Sequence, residues 1–264
     1  MDNLIAIVAA IFYFLSIAAI VPGLVNQTGI KAKTVFISAT LGLVLHAWLL
    51  SGLILQGHGQ NLSILNVASL ISFIISLAMS LALFKVRLWF LLPVVYSFSA
   101  INLSVATFLP SSFMTHIDQY PGLMAHIVLA LLAYSTLTIG ALYALQLAFL
   151  DHKLKAKKNL SINSNLPPLM MVERQLFLII LIGNALLTGT LLTGAIFVED
   201  MFAHGKAHKG ILSFIAWIVY SILLWGHYQR GWRGRKVTWF AVIGASLLTL
   251  AYFGSRFVKE IILG

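Results

Sequence analysis

Apolar residues fall in long blocks separated by short polar stretches, and the length of those blocks decides the fold class. A helix needs about 20 residues to cross about 30 Å of hydrocarbon. Eight runs of that order can be marked: Asn3 to Val21, Thr34 to Leu55, Leu62 to Phe84, Leu88 to Leu109, Leu123 to Leu150, Gln175 to Val198, Gly210 to Trp225 and Val237 to Ile262. The pattern predicts an all-α fold, a polytopic membrane helix bundle of eight transmembrane helices that forms one integral membrane domain over residues 1–264. The fifth run is long enough to emerge on one side. The longest polar stretch, His152 to Arg174, carries Pro167-Pro168 and reads as a loop between spans.

Polar and small residues inside the runs refine this picture. Ser69, Ser72, Ser76 and Ser80 recur at helical spacing in the third run, as do Gly140 and Ala144 in the fifth, and small residues on one face let helices approach closely in lipid. Gly183, Gly189 and Gly194 in the sixth run either do the same or let a flat ligand approach the backbone. His46 lies near mid-membrane, where an imidazole must face a partner or a cavity. A structural hydrogen bond to a neighbouring helix and a functional role both remain open for it.

Composition agrees with the blocks: 60% of residues are hydrophobic and 9% charged. With no cysteine, disulfides, thiolate metal sites and covalent haem attachment through the chain's own thiols are excluded, so any cofactor must be held by His, Met, Tyr or carboxylate. Basic residues set the orientation. With the N-terminus outside, 13 of the 17 Lys and Arg fall in inner loops, among them the Lys153 to Lys158 cluster, and an even number of spans places the C-terminus outside as well. The net charge of +10 is then attraction to anionic membrane lipid, and no nucleic-acid partner is expected. Residues 1–20 lack a basic n-region and a small-residue cleavage site, so they read as a retained first span.

That orientation places five of the eight histidines on the outer side, His58, His116, His126, His204 and His208. Interfacial histidine is tolerated because it can be neutral with one edge wet. His126 follows the turn signal Tyr120-Pro121-Gly122, which fixes it at the first turn of the fifth span. His227, beside Trp225, Tyr228 and a basic turn, reads as a wet interfacial side chain. Glu199-Asp200 with His204 and His208 has metal-ligand residue types, but Gly205 and the helix-entry position favour a loop.

Leu123-Met124-Ala125-His126-Ile127, continued by Leu131-Leu132-Ala133-Tyr134 and Gly140, resembles the histidine-bearing helix of the cytochrome c assembly family, whose members include CcsA, CcmC and the HemX-like proteins. Gly57-His58 with Asn61-Leu62 and Ser69-Leu70 is similar to a histidine-containing outer loop of CcsA-type members. Gly189, Gly194, His208-Lys209 and Trp217 resemble the haem-handling region, and Gly231-Trp232-Arg233-Gly234 and Ala251-Tyr252-Phe253-Gly254 resemble the final connection and last span. The likeness covers most of the chain from His58 onward and is nearest to the HemX-like branch. Two features depart from the pattern: no tryptophan lies between Gly194 and His208, and no histidine follows Gly254.

The resemblance implies a multi-pass protein of the bacterial inner membrane that binds or handles haem at the outer face during cytochrome c biogenesis, an assembly factor rather than a stand-alone catalyst. It implies His126 as ligand to haem iron. With one ligand of the usual pair missing, His58, His204, His208 or water is expected to complete coordination, with Lys206 or Lys209 near a propionate. His46 joins these as the intramembrane candidate. Membrane lipid, haem and an apocytochrome c or another assembly subunit are the expected partners. Two other readings stand beside this one: an accessory or regulatory membrane protein that keeps the fold without haem handling, and a small-molecule transporter, for which His46 and the glycines of the sixth span are the support.

Overall fold

Each apolar run forms a helix. In a computed structural model, which describes residues 1–25, 29–57, 59–83, 89–109, 111–155, 168–198 and 207–254, the order is α1 (Asp2–Val25), α2 (Ala32–Ile54), α3 (Ile64–Ala82), α4 (Leu92–Phe108), α5 (Pro121–Lys155), α6 (Leu169–Phe197), α7 (Ala207–Arg230) and α8 (Arg235–Thr249). Seven of the eight are long and apolar enough to cross a membrane, and α4 is the shorter apolar one. At 17 residues it is about 25 Å long. Its start is set by Pro93 in the first turn, the only part of a helix where a missing N–H costs nothing, so Trp89 to Leu91 do not join it.

Several predicted boundaries move. Helix α1 continues through Pro22 to Val25 instead of stopping at Val21. The polar stretch from His152 to Arg174 is a loop only in part, because α5 runs on to Lys155 and α6 begins at Leu169. Backbone hydrogen bonds continue a helix past the membrane edge whether or not its side chains are polar. The last run changes pitch: after α8 the chain makes a π-helical turn over Leu250–Gly254, and Ser255 to Ile262 lie outside the described residues.

The chain separates into two compact units, one built on Met1–His116 and the other on Ile117–Lys158 and Pro168–Gly264. In the first, α1 packs on α2 and α4, and α3 packs on α2 and α4. The serines predicted to make a smooth contact face also carry hydrogen bonds. Ser76 bonds Ser99 of α4, Ser99 donates to the Ser72 carbonyl at 2.9 Å, and Ser80 bonds the Tyr96 hydroxyl at 2.8 Å. Beyond α2 the first unit adds a small antiparallel sheet of β1 (Leu55–Gln56), β2 (Gly59–Asn61) and β3 (Met114–Thr115), in that order. The sheet departs from the all-helical expectation because strands this short carry no period a sequence could display. Asn61 clamps it: its amide donates to the Ser111 carbonyl at 3.0 Å, and its Oδ1 accepts from the Phe113 N–H at 2.9 Å.

In the second unit α5 packs on α6 and α8, and α7 packs on α6 and α8. The predicted glycine faces mediate this. A Cβ on Gly183 would strike Leu137, and Gly140 lies against Ile180. Helix α7 ends in an αL motif, with the Gly231 N–H donating to the His227 carbonyl and the Trp232 N–H reaching the Gly226 carbonyl, both at 3.0 Å. Gly231 and Gly234 hold φ values of 64° and 63°, the left-handed region that glycine tolerates, and so the chain turns into α8 within four residues. Trp232 folds back onto Gly226, where any side chain would collide with the indole.

Candidate functional site

Helix α5 starts at Pro121, whose fixed φ suits a first helical residue, so Tyr120-Pro121-Gly122 is the beginning of the helix rather than a turn before it. Gly122 has a different task from the predicted one: a Cβ there would collide with the Phe197 ring, so it lets the ends of α5 and α6 meet. Because the helix begins two residues earlier than its apolar run, His126 sits in the second turn, about 7 Å from the helix start.

Two groups of α6 hold the half-buried His126 ring. Nδ1 lies 3.0 Å from the Thr190 carbonyl oxygen and 3.3 Å from the Thr193 hydroxyl. A carbonyl only accepts, and the Thr193 hydroxyl spends its proton on the Gly189 carbonyl at 2.8 Å, so both acceptors require the proton on Nδ1. The neutral ring therefore carries its lone pair on Nε2, which has no hydrogen-bond partner among the described residues. Nδ1–H donation to a backbone carbonyl is the usual arrangement behind a metal-binding imidazole. Thr190 and Thr193 went unnoticed in the sequence because their relation to His126 exists only across the helix pair.

Aromatic groups cluster along the same unit. Trp217 donates from Nε1 to Thr188 at 2.8 Å and stacks on Phe214, with ring centroids 5.8 Å apart. Tyr134, two turns along α5 from His126, bonds Thr249 at 3.0 Å and meets the rings of Tyr252 and Phe253 in the π-helical turn. The segments of the resemblance from Leu123 onward therefore fall in one four-helix unit, whereas Gly57, Asn61-Leu62 and Ser69-Leu70 belong to the first unit.

The other predicted ligands fare differently. His208 is the second residue of α7 and is exposed. His58, His204 and Lys206 lie outside the described residues, as do Glu199 and Asp200, and no group of three His, Cys, Asp or Glu able to hold a metal ion occurs among the described residues. Gly57, beside His58, has φ of 46° and turns the chain between β1 and β2 in the first unit. His46 is fully buried and committed on both edges, with Nδ1 3.1 Å from the Tyr13 hydroxyl and Nε2 3.0 Å from the Ser69 hydroxyl. Phe73 packs its ring edge-on at 5.3 Å. His46 thus faces protein, and binding a ligand would require giving up one of its partners. His227 is more than a wet interfacial side chain: its ring stacks on Phe177 at 3.3 Å and Nδ1 donates to the Trp232 carbonyl at 3.1 Å.

A multi-pass helical membrane protein with a histidine held in one tautomer near a helix end is the class that fold and site define. The chain belongs to the cytochrome c assembly family, for residues 34–263 match the family described as Cytochrome C assembly protein. It is 50% identical over 259 residues to the inner membrane protein YpjD of Escherichia coli K12, covering 97% of this chain and 98% of that one. An uncharacterised 28.8 kDa protein of Azospirillum brasilense is 33% identical over 53% of this chain and 52% of its own. The cytochrome c biogenesis protein CcsA of Prochlorococcus marinus is 26% identical over 52% of this chain and 50% of its own. No solved structure matches. These relatives and the apolar helices make it a multi-pass protein of the bacterial inner membrane.

Proposed function

We propose that this protein binds haem as cargo at the outer membrane face in cytochrome c biogenesis, with His126 as the iron ligand. The observation that carries the reading is the 3.0 Å contact of Nδ1 with the Thr190 carbonyl, which assigns the proton to Nδ1 and leaves the Nε2 of the neutral ring as a donor to iron. Family membership and the likeness to a cytochrome c biogenesis protein support the process. In this reading the chain is one integral membrane domain of eight spans with both termini outside. Lipid surrounds it, and an apocytochrome c or another assembly subunit meets its outer face. His58, His204, His208 or water supplies the second axial position, which gives a weakly held, mixed-spin haem.

The test is an absorbance spectrum of the detergent-purified protein after haem reconstitution. A Soret band is expected in the wild type and in His116→Ala, and its loss is expected in His126→Ala. Equal bands in the two variants would sink the assignment. The accessory reading is favoured by one feature, the absence of tryptophan between Gly194 and His208. It predicts a colourless protein and unchanged cytochrome c maturation in a deletion strain.

A further inference from the structure

At the end of the second unit where α7 turns into α8, a pocket of about 360 Å³ is lined by groups that the haem reading does not use. Met170, Glu173, Arg174, Phe177 and Leu178 lie on one face of α6, at the spacing of successive helical turns. His227 and Tyr228 face them from the last turn of α7, and Arg233 comes from the turn between α7 and α8. The walls are of two kinds. Phe177 is buried under the His227 ring, whereas Met170, Leu178 and Tyr228 are 73, 56 and 60% exposed, an apolar rim open to the surroundings.

The charged groups are not balanced. Glu173, whose side chain is 12% exposed, forms an ion pair with Arg233, its Oε1 lying 3.1 Å from Nε without hydrogen-bond alignment, so the terminal nitrogens of the guanidinium remain for another acceptor. Arg174 lines the same pocket and has no ion pair among the described residues. Two guanidiniums against one carboxylate leave an excess of one positive charge, beside the Tyr228 hydroxyl and a His227 Nε2 that can accept from a hydroxyl. Arg230 and Lys236, at the same end, lie over the Trp225 and Trp232 rings.

We propose that this pocket binds the phosphate of an anionic phospholipid headgroup, with Arg174 and Arg233 on the phosphate oxygens and the acyl chains running along Met170 and Leu178. A planar guanidinium matches phosphate geometry better than an ammonium does. The exposed apolar rim separates this from a site for soluble phosphate, which has no use for it. The position agrees with the chemistry, because the pocket lies between helix ends in the chain's richest cluster of arginine, the level at which headgroups meet basic side chains.

The experiment is a lipid titration of the full chain purified in detergent, read as the rise in thermal midpoint. Dioleoylphosphatidylglycerol is expected to raise it saturably, and dioleoylphosphatidylcholine and inorganic phosphate are expected not to. Losing a charge-assisted hydrogen bond weakens binding by about tenfold. That loss is expected in Arg174→Gln and in Arg233→Gln, while Arg230→Gln stays within about twofold of the wild type. Arg174→Gln leaves the Arg233–Glu173 pair intact, so it reports on the site even if the other variant folds poorly. Equal shifts with both lipids, or an Arg230→Gln loss as large as that of Arg174→Gln, would show diffuse surface charge and overturn the proposal. A shift by inorganic phosphate matching that of phosphatidylglycerol would overturn the lipid assignment.

Discussion

Removing the imidazole of His46 would strand two buried hydroxyls, Tyr13 and Ser69, in a part of the first unit that water does not reach. An unpartnered buried polar group costs about 1–3 kcal/mol. We therefore expect His46→Leu to lower stability by at least that amount, measured by thermal or denaturant unfolding in detergent. An unchanged midpoint would show that the network contributes nothing net. Tyr13→Phe should cost less, since Ser69 and one ring edge keep their bond. At this scale the sequence was readable as far as a residue's depth and its motif, which suffices to single out His126 and to require a partner for His46. It could not supply the partners. Thr190 stands 64 positions from His126, and Tyr13 and Ser69 stand 33 and 23 from His46, so each pairing depends on which helix faces lie together.

Helices were legible because lipid allows few alternatives: a backbone that crosses hydrocarbon must satisfy its own hydrogen bonds, and an apolar run of the right length has only one common way to do so. What escaped was punctuation. Pro93 trims α4 and Pro121 opens α5, while the strands at Leu55, Gly59 and Met114 are ordered by the Asn61 side chain rather than by any alternation. Glycine spacing did foretell close helix contacts at Gly140 and Gly183, and another close contact, which it did not single out, can be tested. A Cβ on Gly244 would come within 2.6 Å of the Tyr220 ring, which is fully buried and whose hydroxyl donates to the Ala241 carbonyl at 3.2 Å. Because neither the ring nor the backbone can yield, Gly244→Ala should destabilise by about 1–3 kcal/mol. Gly254→Ala, with nothing within 4 Å, is the control and should be near neutral.

For the whole molecule the decisive quantity is the asymmetry of charge, 13 basic residues against 4. Lysine and arginine are retained on the cytoplasmic side during insertion, which is the reason for proposing that both termini lie outside. Alkaline phosphatase fused to the C-terminus should then be active and a fluorescent protein fused there dark. The reverse pattern would invert the membrane assignment of every loop, and His126 would face the cytoplasm.

The hydroxyls of the first unit also bear on how the chain is made. Ser16 bonds the Phe12 carbonyl, Ser38 the Thr34 carbonyl and Ser80 the Ser76 carbonyl, each one turn back on its own helix. Helices bearing such side chains enter hydrocarbon with those groups already answered. His46 has no such local bond, and its partners belong to the helices synthesised just before and just after its own. Tyr13 is in place when α2 emerges from the ribosome, and Ser69 follows one helix later. Order of synthesis thus keeps the costliest side chain of the first three helices from meeting lipid alone. A pause between α2 and α3 would leave one edge of the imidazole unanswered until Ser69 arrives.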